Sequence, residues 1–153
     1  MIPPLKAGAS PLDRLRQGIA RMVEHHGFQP VLPEDTDAFS PSGLVALLLT
    51  DDPQRNPEIL DACVILPEAL RPFADTVSPW VADAAASVPL MARYGVSRAP
   101  AVVFLRDGAY LGSLNGIRDW AEYQAEVDRL LHGPAQPRPI AITVVAATNG
   151  ACA

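Results

Sequence analysis

Two cysteines in 153 residues, Cys63 and Cys152, are too few for a disulfide framework, and no metal-ligand spacing links either to a histidine. A small disulfide-stapled fold is thereby excluded, and a reducing, cytoplasmic setting is the expectation. Positive charge is also scarce. Twelve Lys and Arg against 17 Asp and Glu leave a formal net charge of -5 and a pI near 5.0. A nucleic-acid binder needs a basic stripe to release counterions, so nucleic acid is not an expected partner and a basic peptide is the better electrostatic match. No apolar run approaches the ~20 residues that cross a bilayer, and the N-terminus lacks the basic, apolar and small-residue sections of a leader. Neither membrane insertion nor export is expected.

What is present suits one core. The chain is 49% hydrophobic and 19% charged, enough for a single globular domain and too short for two. The expected organisation is an irregular lead at 1–10, a domain over 11–132, and a proline-rich linker with a tail at 133–153. Within the domain, residues 94–112 are the most informative. Pro100 stands immediately before the β-branched and aromatic run 101–105, and Asp107-Gly108 follows at the spacing of a tight hairpin. Proline lacks an N–H and drives the preceding residue out of the helical region, which places Pro100 at the entrance of its strand. The Ala99–Pro100 bond is a candidate for the cis form.

The remaining elements follow from period and punctuation. Leu12, Leu15, Ile19, Met22 and Val23 recur at helical spacing until Gly27, with His25 and His26 in the last turn as polar residues facing the negative end of the helix dipole. Residues 28–32 read as an edge strand before an acidic turn at 33–37. The unbroken apolar run at 43–50 reads as a strand buried on both faces, in the middle of a sheet. Residues 51–56 form the loop at its carboxyl end, where open α/β sheets present binding surfaces. Asn56 is placed to cap the next helix, Pro57 to occupy its first position and Glu58 to meet its positive end. Ile59, Cys63, Leu66 and Leu70 give that helix its apolar stripe, with Pro67 expected to kink it. A strand at 76–81 and, over 83–94, a small helix or irregular helical turn closed by Gly95 precede the hairpin. A last helix over 117–131 carries Trp120, Tyr123, Val127, Leu130 and Leu131, with Trp120 expected as a packing anchor. For the apolar segment 140–147, an extra strand, a partner-binding role and mobility all remain open.

This order is a βαβ half followed by a ββα half, an α/β class. Tyr94-Gly95-Val96, Arg98-Ala99-Pro100, the apolar strand, Asp107-Gly108 and Gly112 together resemble the second half of thioredoxin-like domains. The resemblance implies a central mixed sheet flanked by helices and a cis bond at Pro100 beside the position of the active-site dithiol. At that position this chain reads Asp51-Asp52-Pro53-Gln54-Arg55-Asn56-Pro57-Glu58 instead of Cys-x-x-Cys. Thioredoxins stabilise the first thiolate at the start of the following helix, and carboxylates cannot exchange disulfides. What remains of the family surface is a place to hold an extended peptide, with the Ala99 backbone pairing like a strand edge.

Pro11-Leu12-Asp13, the segment 49–58, and above all residues 104–112 through Asn115-Gly116-Ile117-Arg118-Asp119-Trp120-Ala121-Glu122-Tyr123 resemble the hydrogenase expression proteins called HyaE, HupG or HoxO. That resemblance implies a cysteine-depleted, non-enzymatic chaperone without a cofactor. Its implied partner is the small-subunit precursor of a nickel-iron hydrogenase, which carries a twin-arginine signal and iron-sulfur clusters, together with other maturation proteins. The candidate partner-binding residues are Asp51, Asp52, Glu58, Arg98, Ala99 and Pro100. The acids have a second reading, as helix-capping and loop-solvating groups. Cys63 likewise has two: a buried small hydrophobe, or the thiol of a single-cysteine oxidoreductase. A general assembly scaffold is the third function class.

Overall fold

The computed structural model describes residues 10–132. The tail expected at 133–153, with the segment 140–147 and Cys152, lies outside the described residues, as does nearly all of the lead. The first helix, α1 (Pro11–His26), opens on a capping box in which the Ser10 hydroxyl accepts from the Asp13 N–H at 3.1 Å and the Asp13 carboxylate accepts from the Ser10 N–H at 3.4 Å. It closes on Gly27, in the left-handed conformation with φ 72°. Then follow β1 (Gln29–Val31), a short 3-10 turn (Pro33–Asp35), β2 (Leu44–Leu49), α2 (Glu58–Leu70), β3 (Val77–Ala82), α3 (Ala84–Tyr94), β4 (Ala101–Arg106), β5 (Ala109–Asn115) and α4 (Trp120–His132).

The five strands form one mixed sheet in the order β1-β3-β2-β4-β5. β1, β3 and β2 run parallel, while β4 and β5 are antiparallel additions. The apolar run that suggested a doubly buried strand is β2, third of the five. Its alternate residues enter two different cores, as the two-residue period of a strand requires. Ala46 and Leu48 face the layer of α1, α2 and α4, where they meet Leu15, Met22, Ile59, Leu66, Tyr123 and Val127. Val45, Leu47 and Leu49 face α3, with Leu90, Tyr94, Val103 and Leu105.

The hairpin between β4 and β5 turns on Asp107 and Gly108, with φ 51° and 84°. Positive φ at both positions is what a two-residue turn needs to match the twist of its strands. Gly108 is required there twice over, because a Cβ would also come within 2.8 Å of the Ser40 hydroxyl. Asp107 further ties this turn to the start of β2: its carboxylate accepts from the Gly43 N–H at 2.7 Å, and its own N–H donates to the Gly43 carbonyl at 2.9 Å.

Two local expectations are corrected. α2 continues through Pro67, but its N-terminus has no side-chain cap; the Asn56 side chain goes elsewhere. α4 begins at Trp120 rather than at 117, because Asp119 caps it, its carboxylate accepting from the Glu122 N–H at 2.9 Å and its carbonyl from the Tyr123 N–H at 3.1 Å. Trp120 is therefore the first helical residue and is 53% exposed, not a packing anchor. Tyr123, Val127 and Leu130 continue the stripe into the core as expected, while Ile117 packs against that core at the end where Trp120 was placed.

Candidate functional site

The candidate site lies where β2 ends, β4 begins and β5 gives way to α4. The last pair of the β2–β4 ladder is Leu49 with Ala101, so the chain leaves β2 beside the point where Pro100 enters β4. The Ala99–Pro100 bond is cis. On the other side Asn115 pairs with Ala101, and the Gly116 N–H donates to the Pro100 carbonyl at 2.7 Å. The proline loop is thus held between segment 51–58 and segment 116–122.

Asn56 supplies the tie on the first side. Its side-chain N–H donates to the Ala99 carbonyl at 2.9 Å, across 43 positions of sequence. Ala99 is fully buried and Pro100 is buried, whereas Ser97 and Arg98 are exposed. The Ala99 backbone reads from sequence as a strand edge for an incoming peptide; its carbonyl already has an internal partner in this structure.

The acids around this loop are not equivalent. Asp51 is half-buried and forms a 2.9 Å ion pair with the exposed Arg55. Exposed pairs of this kind contribute about 0–1 kcal/mol, so the pair trims local negative charge more than it stabilises the fold. Asp52 shapes the loop: its carboxylate accepts from the Gln54 N–H at 2.9 Å, and its carbonyl accepts from the Arg55 and Asn56 N–H groups at 3.1 Å. Glu58 is exposed at the first turn of α2. It acts on Tyr123, whose phenol is pushed above its ordinary value mainly by burial. The Arg118 N–H and guanidinium offset part of that rise, and the Glu58 carboxylate adds to it. The Tyr123 hydroxyl donates to the Gly116 carbonyl at 3.2 Å, so α4 holds the segment that holds Pro100.

Beneath the loop is a small polar network that sequence reasoning missed. The Thr50 hydroxyl donates to the Ala82 carbonyl at 2.7 Å, and the Thr50 N–H donates to the Ser87 hydroxyl at 2.8 Å. Ser87 donates in turn to the Ala82 carbonyl at 3.2 Å. Both side chains are buried, and their shared acceptor at Ala82, with the Thr50 N–H on the Ser87 hydroxyl, fixes the end of β2 against the first turn of α3. Nothing local marked them; a lone Thr after an apolar run is an ordinary strand end.

Cys63 lies apart from this surface, on the buried stripe of α2 facing α1. A Cβ on Gly18 would come within 3.3 Å of the Cys63 Cβ. Burial pushes its thiol up to about 12, which leaves roughly one thiolate in 10⁵ at pH 7. Of its two readings, the structure supports the small hydrophobe.

A mixed sheet in this order, with a cis proline heading β4 and a helix starting beside it, defines a thioredoxin-like protein. Segment 51–58, where the dithiol would stand, offers carboxylates and no thiol. Residues 19–123 match the family described as Hydrogenase-1 expression protein HyaE. The hydrogenase expression/formation protein HoxO of Cupriavidus necator is 40% identical over 145 residues, spanning 92% of this chain and 90% of its own. HupG of Bradyrhizobium diazoefficiens is 32% identical over 129 residues, spanning 80% and 87%. A crystal structure described as a HupG hydrogenase expression/formation protein, from Rhodopseudomonas palustris CGA009, is 30% identical and covers 67% of this chain and 94% of that one, at a TM-score of 0.46. The chain belongs to this family of hydrogenase expression/formation proteins.

Proposed function

We propose that the protein serves hydrogenase formation as a non-catalytic chaperone, holding the small-subunit precursor in the cytoplasm at the pole formed by segment 51–58 and the cis-proline loop. One observation carries the reading: the cis-proline loop is built and tied in place, while acids occupy the dithiol position beside it. Such a surface grips without exchanging sulfur bonds. A twin-arginine leader is a basic segment followed by a moderately apolar one, which suits Asp51, Asp52 and Glu58 beside a partly apolar loop. The Ala99 carbonyl already accepts from the Asn56 amide, so a partner strand pairing there shares that acceptor or displaces the amide.

Capture of the precursor from cells carrying the full hydrogenase operon, with and without the leader, tests the reading. Capture that depends on the leader supports it. Capture of the leaderless subunit moves the contact to the cluster-bearing region, and equal capture of unrelated exported proteins replaces the reading with a general scaffold. Asp51→Asn with Asp52→Asn should weaken binding several-fold at low salt and much less at high salt, since exposed charges are screened over about 8 Å at physiological ionic strength. An affinity indifferent to both salt and substitution removes the acids from the mechanism.

A further inference from the structure

We infer that Trp120 is the apolar anchor of the same surface, and that the partner places there a large apolar side chain carried in an extended basic segment. This rests on the reading just proposed and deepens it by adding segment 116–122 as a second wall.

Trp120 is the only aromatic among the exposed large apolar side chains of the described residues. Its exposure follows from how α4 starts. Asp119 caps the helix, which makes Trp120 its first residue, and helical side chains lean toward the N-terminus of their helix. That direction is toward segment 116–118, whose Gly116 is bonded to the Pro100 carbonyl. Core contact at this end is made instead by Ile117. An indole left more than half exposed beside a backbone loop is the kind of group that dominates binding energy when a partner covers it.

The charge around it selects the occupant. Segments 51–58, 97–100 and 116–122 carry five carboxylates against three guanidiniums. Arg55 pairs with Asp51 at 2.9 Å and Arg118 with Glu122 at 3.5 Å, which leaves Asp52, Glu58 and Asp119 against Arg98, an excess of two negative charges. An acidic rim around an aromatic anchor fits a segment in which basic residues adjoin an apolar one. It disfavours a second copy of this acidic chain, which would bring like charge to like.

The test uses the full chain with 5-fluorotryptophan at both tryptophans, Trp80 and Trp120, and the leader-bearing small-subunit precursor as the probe. Trp80→Phe assigns the two fluorine signals; that residue sits on β3 against Phe39, at 5.3 Å between ring centroids, away from the site. Adding precursor should shift the Trp120 signal and leave that of Trp80 in place. Trp120→Ala should weaken binding by about 30-fold, with the thermal melt unchanged. The fluorine readout decides the question even where that variant folds poorly. Precursor that binds with the Trp120 signal unmoved, or binds Trp120→Ala within about twofold of the parent, overturns the anchor and leaves the chaperone reading standing. Absence of precursor binding to the unaltered chain overturns both. A Trp120 signal that shifts with chain concentration alone assigns the surface to self-association and overturns the inference.

Discussion

Replacing Asn56 by alanine removes the side-chain hydrogen bond that, among the described residues, ties segment 51–58 to the cis-proline loop. The bond is 2.9 Å long and its acceptor belongs to a residue with no exposed surface, so water reaches the carbonyl poorly once the amide is gone. A hydrogen bond of this kind contributes about 0.5–1.5 kcal/mol net, and an acceptor left unsatisfied costs about 1–3 kcal/mol. The expected loss is therefore about 1.5 kcal/mol. With an unfolding entropy of about 2.1 cal/mol/K per residue over the roughly 120 residues of the domain, that corresponds to a fall in melting temperature of about 6 °C. Asn56→Leu separates the donor from the volume: it keeps the carbon framework, loses the N–H, and should lose as much. The assay is urea unfolding at pH 7 with the melt followed in parallel. Either variant within about 0.3 kcal/mol of the parent would refute the tether, by showing that the Ala99 carbonyl is satisfied without Asn56.

Two further perturbations probe the core behind the site. Burial raises the Cys63 thiol from 9.0 to about 12 in the folded chain, so its contribution to stability is fully present below about pH 9 and is lost as pH rises toward 12. The unfolded chain gives up the proton first, at about 1.4 kcal/mol per pH unit above 9; Cys63→Ala should flatten the decline in urea midpoint between pH 8 and 10.5, and an undiminished decline in that variant refutes the assignment. In a Cys152→Ala background the same thiol should resist a thiol reagent at pH 7 until the protein unfolds, and rapid labelling of the folded chain would revive the oxidoreductase reading. Gly112→Ala places a Cβ 2.8 Å from the buried Leu130 Cδ2 and should cost about 1–2 kcal/mol in urea unfolding. Adding Leu130→Val should cost less than the two single losses together, and strict additivity would show that the contact is not the cause.

Much of the framework was legible in local chemistry. The two-sided burial of β2, the proline at the head of β4, the Asp107-Gly108 turn and the Gly27 stop each reflect a constraint acting within a few residues: an apolar run, a fixed φ, a positive φ. Candidate site residues were legible in kind but not in state. Asp51, Asp52 and Glu58 fall in the loop and first turn where they were expected, yet nothing local showed that Asp51 pairs with Arg55 or that Asp52 folds its own loop.

By itself the sequence determined the order of the main elements, the proline at the head of β4 and the absence of cysteine from segment 51–58, because each is written in a short stretch and needs no distant partner; the cis form and the meaning of the cysteine-free segment came from the family resemblance. Tertiary structure alone decided that Asn56 serves Ala99 rather than its own helix, that the Thr50 and Ser87 hydroxyls converge on the Ala82 carbonyl, and that Trp120 faces outward. The helical period puts Trp120 in line with Tyr123 and Val127, but a stripe is buried only as far as there is something beneath it. Where α4 begins, Ile117 has already filled the edge of the core, and that is a property of the assembled layers rather than of any window of residues.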